Sequence, residues 1–267
     1  QESLWKRNGN AHRQRSLHQI AGCSVPAAAQ QGLEEVFVLK IRIKYSKLGN
    51  LKFIGHLDVM RYFQKEIRRA KLDISYSKGY SPHQIISFAA PLALGITSDG
   101  EYFDAEFNSV TTSSEMIEAL NAVSVDEIHV TKCVQIPEDA KNAMSIVAAS
   151  DYEITFREQN DLSEKLLASV DELNKRDEII VLKKTKKSEK EENIRPGILK
   201  LERRENSIYM LLQTGSVYNL KPELVVKALY DLCGETYDFF RIYIHRLETY
   251  YDKDGSLQPL YMAGEEF

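Results

Sequence analysis

Two short runs concentrate the side chains that could do chemistry. In "GHLDVMR", His56, Asp58 and Arg61 fall within two turns of a helix entered through Gly55. In "YSKGYSPHQ", Lys78, Tyr80, Ser81 and His83 crowd around Gly79 and Pro82. An imidazole can donate, accept or carry a proton near neutral pH, and two of them flanking one phosphate would make a metal-independent endoribonuclease, with His56 and His83 as base and acid. Tyr80 offers a ring on which a base could stack, and Lys78 a cation for a phosphate. Arg61, Lys65, Arg68 and Arg69 share the polar side of the helix, where a basic flank could meet a phosphate backbone. Plainer accounts compete with each: Asp58 suits the first turn of any helix, a basic flank is often merely solvated, and a loop histidine often only hydrogen-bonds.

Three further groups have the right types with weaker spacing. Glu101 and Asp104 follow Ser98, Asp99 and Gly100, which read as a tight hairpin turn, and both acids are expected at a solvated sheet edge. In "TGSVYNLKPEL", Asn219 and Lys221 precede a helix with Pro222 in its first turn, so backbone N–H groups and a cation gather where an anion could sit; a plain helix start explains the run equally well. Cys23, Cys133 and Cys233 are far apart, which excludes a zinc or iron–sulfur motif and a disulfide scaffold and points to free thiols in a reducing cytoplasm. No metal and no cofactor is expected.

These residues need a frame. The chain has 267 residues, 43% hydrophobic and 28% charged, with a net charge of -4, and no apolar run approaches the roughly 20 residues of a membrane helix. A uniformly basic surface is excluded; local basic patches are not. Residues 1–34 lack helical or strand period and read as a disordered arm or non-native extension. Beyond them, "EVFVLKIRIKYSK" alternates as a strand, and Leu57, Met60, Phe63 or Gln64, Ile67 and Ala70 make a helical stripe. "DISYS", "HQIISFAAPLALGI" and "EYFDAEF" read as strands, "SSEMIEALNAV" as a helix capped by serine, and "EIHVTKCVQI" as a last strand.

After a linker over 137–150 a similar order returns. "DYEITFRE" is a strand, "DLSEKLLASVDELNK" a helix capped by Asp161 or Ser163, and "EIIVLKK" a strand before the charged loop "TKKSEKEEN". A hairpin turning at Glu205 to Ser207, a helix ending at Gly234 and the strand "YDFFRIYIHRLETYY" complete it. The expected fold is α+β: tandem ferredoxin-like (split βαβ) domains over 35–136 and 151–250, each an antiparallel sheet with helices on one face and the other face open, and a C-terminal tail over 251–267.

"KYSKLGNLKFIGHLDVMRYFQKEIRRA" together with "YSKGYSPHQIISFAAPLALGITSDGEYFDAEF" resembles the bacterial radical-SAM-linked protein family, a domain of unknown function found alone or fused to a radical SAM protein; "TGSVYNLKPELVVKAL" is similar to its second-half motif. His56, Leu57, Asp58, Arg61, Gly79, Pro82, His83, Ser87, Pro91, Gly95, Glu101 and Asp104 match the pattern, whereas Lys78 and Gln84 depart from it. The resemblance implies a radical SAM protein as partner. The chain itself has no CxxxCxxC to hold a radical SAM cluster. The function expected is therefore a non-catalytic accessory module that works with a radical SAM enzyme and binds structured RNA, tRNA or rRNA. The alternatives are the ribonuclease of His56 and His83, and a module that only docks onto the radical SAM partner.

Overall fold

A computed structural model of the chain describes residues 38–184 and 189–267, so the arm expected over 1–34 lies outside the described residues. Strand β1 (Leu39–Lys47) is built by alternation: Ile41, Ile43 and Tyr45 are buried on one face, while Arg42, Lys44 and Ser46 turn to the other. Helix α1 (His56–Arg69) buries Val59, Phe63 and Ile67, four residues apart. Leu57 stays 60% exposed, so the stripe runs along a face displaced from the expected one. Strands β2 (Ile86–Phe88) and β3 (Thr97–Phe107), helix α2 (Ser113–Asn121) and strand β4 (Ile128–Gln135) follow. The cap of α2 is Thr112, in a reciprocal pair with Glu115, rather than a serine.

The chain then makes a short helix α3 (Ala143–Ile146), strand β5 (Val147–Phe156), helix α4 (Asp161–Asn174), strands β6 (Ile180–Lys184), β7 (Glu189–Asn193), β8 (Ile198–Arg203) and β9 (Ser207–Gln213), helix α5 (Pro222–Leu232), and strands β10 (Ile242–Lys253) and β11 (Ser256–Pro259). Asn160 caps α4, and Ser163 answers it from the third position of the helix. Nine strands form one large, mainly antiparallel sheet in the order β4-β1-β3-β10-β5-β9-β8, with β2 added to β3 and β11 to β10. Strands β6 and β7 pair separately. Ile41, Phe63, Phe103, Phe107 and Met116 form one core beneath α1 and α2; Tyr152, Ile154, Leu166, Val170 and Leu229 form a second beneath α4 and α5.

The structure corrects several expectations. Asp99 and Gly100 are not a turn but part of β3, which runs through them to pair with β1. Gly100 is required because β10 lies against it: a Cβ there would stand 2.4 Å from the Cα of Glu248. β2 ends at Phe88, and residues 89–96 reach β3 outside any strand. "DISYS" reduces to two isolated bridges, Ile74 with Phe107 and Tyr76 with Gln84. Part of the expected charged loop, Glu189–Asn193, pairs as β7. The two halves are not separate sheets, since β10 joins β3 in parallel through His245 with Thr97 and Arg246 with Ser98.

Nor is the second face of the first half open. Residues of the expected linker and tail cover it: Ala143 and Leu260, both wholly buried, pack with Ala89, Tyr102 and Val147 in a small third core. Beyond β11 the chain continues to Glu265, which bridges Gln135, and to Phe267, whose carbonyl accepts from the Ser113 N–H.

Candidate functional site

The loop carrying Tyr80 is closed at its neck. The Ser77 N–H donates to the His83 carbonyl (2.8 Å), the His83 N–H donates to Ser77 Oγ (3.1 Å), and Ser77 Oγ lies 2.8 Å from His83 Nδ1. Gly79 takes a φ of +116°, which lets the chain reverse between these anchors. The loop is also tied to α1: Gln84 Nε2 donates to the Gln64 carbonyl, which receives Arg68 Nε as well. His83 thus braces the loop, while Lys78, Tyr80 and Ser81 stand exposed, Tyr80 with its whole side chain in solvent.

His56 belongs to a different place. Gly55 is the cap of α1, so His56 is the first helical residue, and its ring meets Phe88 edge-on at 5.2 Å. The Gln64 anchor of the His83 loop is about 12 Å further along the helix at 1.5 Å per residue. The structure does not bring the two histidines into one constellation. Instead His56 lines a small cavity with Tyr45, Lys47, Pro91 and Glu101. Lys47 is buried and donates to the Ile54 carbonyl at 3.1 Å; burial holds its pKa below the ordinary lysine range.

Glu101 and Asp104 are not solvated edge residues. Both are buried because β3 continues past Gly100 into the middle of the sheet. Three residues apart on one strand, they face opposite sides. Glu101 pairs with Arg246 at 2.8 Å, and Arg246 also donates to Tyr152 Oη and the Ala90 carbonyl. Asp104 takes Arg42 through two bonds, 2.8 and 3.0 Å, and accepts the Ala143 N–H at 2.7 Å. The remaining Arg42 nitrogen donates to the Leu260 carbonyl. These acids are internal anchors for arginines rather than ligands for a partner. Alternation in "RIYIHRL" carries the signal for the first, since Arg246 falls on the inward phase of Ile242 and Ile244.

The other expected residues lie apart from the loop. Asp58 and Arg61 pair with each other at 3.2 Å in full view of solvent, an interaction of little energetic weight. Asn219 and Lys221 are exposed at the start of α5; Lys221 is its N-cap residue without a side-chain cap bond, and lines a groove of about 630 Å³ with Leu94, Lys183, Lys227 and Phe239. A cluster missed in the sequence joins β3 to β10: His245 Nδ1 lies 2.8 Å from Thr97 Oγ1, and its Nε2 lies 3.1 Å from Asp99. Among the described residues no group of His, Cys, Asp and Glu is placed to hold a metal, and no helix is long and apolar enough to cross a membrane. Cys133 and Cys233 are free, and burial pushes the Cys133 thiol up to about 12.

A family model described as "Uncharacterized protein conserved in bacteria (DUF2344)" matches residues 40–222. The chain belongs to that family. It also resembles, at 11% identity and a TM-score of 0.39, a chain of the "Crystal Structure of a Cbf5-Nop10-Gar1 Complex", over 83% of its own length and 52% of that chain. It therefore spans about half of that neighbour. No curated protein matches it.

Proposed function

We propose that this member of the bacterial family is a non-catalytic accessory module that binds structured RNA, tRNA or rRNA, in the cytoplasm and serves a radical SAM enzyme acting on that RNA. Tyr80 carries the reading: a tyrosine side chain wholly in solvent, on a loop locked at both ends and anchored to a basic helix, is arranged to stack on something outside the chain. A loop needed only to connect Tyr76 to Gln84 has no use for that ring. Free Cys133 and Cys233 suit a reducing compartment. The radical SAM partner rests on the sequence resemblance alone. We further read each half as one ferredoxin-like unit, because β4-β1-β3-β2 and β10-β5-β9-β8 repeat one strand order, last, first, third, second.

The test is binding of labelled tRNA and rRNA fragments by wild type and Tyr80→Ala. Removing an exposed ring should leave the thermal midpoint unchanged and weaken binding by roughly 1 to 3 kcal/mol where a base was stacked. Equal binding by the two proteins overturns the reading. Capture of a radical SAM protein without any RNA affinity would leave a docking module.

A further inference from the structure

We propose that a second surface, centred on Tyr243 at the seam of the two halves, binds single-stranded RNA by stacking its bases on Phe53, Phe240 and Tyr243 and holding its phosphates on Lys52 and Arg157. The proposal rests on the RNA-binding reading but concerns residues remote in sequence from the Tyr80 loop. Three aromatic side chains stand in water here, Phe53 60% exposed, Phe240 72% and Tyr243 42%. Cations lie over two of them: Lys52 Nζ is 5.2 Å from the Tyr243 ring centre and 5.3 Å from that of Phe53, and the Arg157 guanidinium is 4.8 Å from the Tyr243 ring centre, so a base takes a ring face that a cation leaves for a phosphate, or stacks on the guanidinium plane. Among the described residues neither Lys52 nor Arg157 has a carboxylate within ion-pair distance, so both charges are available to a phosphate. Exposed rings alternating with unpaired cations are what a sequence-tolerant strand binder requires: every base has a face to stack, and every link carries one negative charge.

Beside the rings opens a cavity of about 290 Å³ between Phe156, Leu162 and Phe240, with Arg157, Glu158 and Arg241 also lining it. The size is near the lower end of small-ligand sites and suits one base rather than a larger molecule. A phosphate is not its natural occupant. The start of α4 at its edge is already capped by Asn160 and carries Asp161 and Glu164 in its first turn, Arg241 is engaged with Asp238 at 3.5 Å, and Glu158 adds a negative charge. A base bearing an exocyclic amine fits better, because Glu158 can accept from it. Tyr230, fully buried, also lines the cavity, and its hydroxyl has no hydrogen-bond partner among the described residues.

Fluorescence anisotropy of the full chain with 5′-labelled decacytidylate and decauridylate tests this. Decacytidylate should bind more tightly than decauridylate, since the two bases differ in a 4-amino against a 4-keto group. Tyr243→Ala and Phe240→Ala should each weaken decacytidylate binding by roughly 5- to 150-fold at an unchanged thermal midpoint. Lys52→Ala and Arg157→Ala should each lower the slope of log affinity against log salt by about 0.7. Made in the Tyr80→Ala background, Tyr243→Ala and Phe240→Ala should cause the same fold-loss of decamer binding, which separates this surface from the Tyr80 loop. No decamer binding, or binding indifferent to Tyr243→Ala and Phe240→Ala, overturns the proposal even if tRNA binding depends on Tyr80. Equal displacement of the decamer by an acidic Glu/Leu peptide also overturns it, in favour of a protein-docking face. Decamer binding lost in Tyr243→Ala, with no affinity for tRNA or rRNA, keeps this surface and removes the structured-RNA reading.

Discussion

Replacing Glu66 with glutamine should change the pH dependence of stability in a direction the structure fixes. Glu66 sits on the buried side of α1, 1% exposed; one carboxylate oxygen accepts from the Ser124 hydroxyl and the other has no partner among the described residues. Burial pushes its pKa from the ordinary 4.5 up to about 7, with Ser124, Tyr62 and Arg69 opposing the rise. Because the folded chain holds this proton more tightly than the unfolded one, the stabilising contribution is full below pH 4.5. It is lost as pH rises through about 7 and changes no further above that. At about 1.4 kcal/mol per tenfold change in proton affinity, the gap corresponds to about 3 kcal/mol. Glutamine is neutral throughout, so Glu66→Gln minus wild type, measured by urea unfolding between pH 4.5 and 8.5, should climb by about 3 kcal/mol across that window. Any fixed cost of a misplaced amide shifts the whole curve and not its shape. A difference flat with pH would refute the reasoning.

Gly100→Ala should cost several kcal/mol, because the new Cβ meets the Glu248 backbone and neither strand can withdraw without breaking the sheet; a thermal midpoint near that of wild type would contradict the close approach. Asp104→Ala should lose about 3 to 5 kcal/mol, since it strands Arg42 in the interior, whereas Asp58→Ala should change stability by less than about 1 kcal/mol; chemical denaturation of both reads the contrast. Incubating the protein with total RNA in EDTA should give no discrete cleavage products, because His56 and His83 face different neighbours.

What could be read in the sequence divides by the range of the signal. The Tyr80 loop was legible because Gly79, Pro82 and His83 act on their immediate neighbours. Helix α1 was legible as a helix, but its buried phase runs through Val59 rather than Leu57, since Leu57 with Met60 and Val59 with Phe63 both satisfy helical spacing and the sequence does not choose between them. Asp99-Gly100 misled because the same pair serves a turn or a close strand contact, and the strand that decides, β10, is far along the chain. For the same reason Glu101 and Asp104 looked solvated: Arg246 comes from a strand in the other half, and Ala143 and Leu260 from segments without strong pattern. The surface at Tyr243 gathers Phe53, Arg157 and Phe240 from three separate stretches, and no local motif announces it.

The return of the last residues onto the first half bears on how the chain can acquire its fold. Arg42 is completed by the carbonyl of Leu260, 218 positions later, and the face behind Asp104 stays wet until that stretch seats. Closing so long a loop adds little to the equilibrium cost, about 0.6 kcal/mol per doubling of length, but contacts of this separation slow the search. The first half should therefore lock late, after β10 has found β3. A chain cut between α3 and β4 would yield two incomplete pieces. One would bear an uncovered charged face and the other a bare edge on β10, free to recruit a strand from a neighbouring copy.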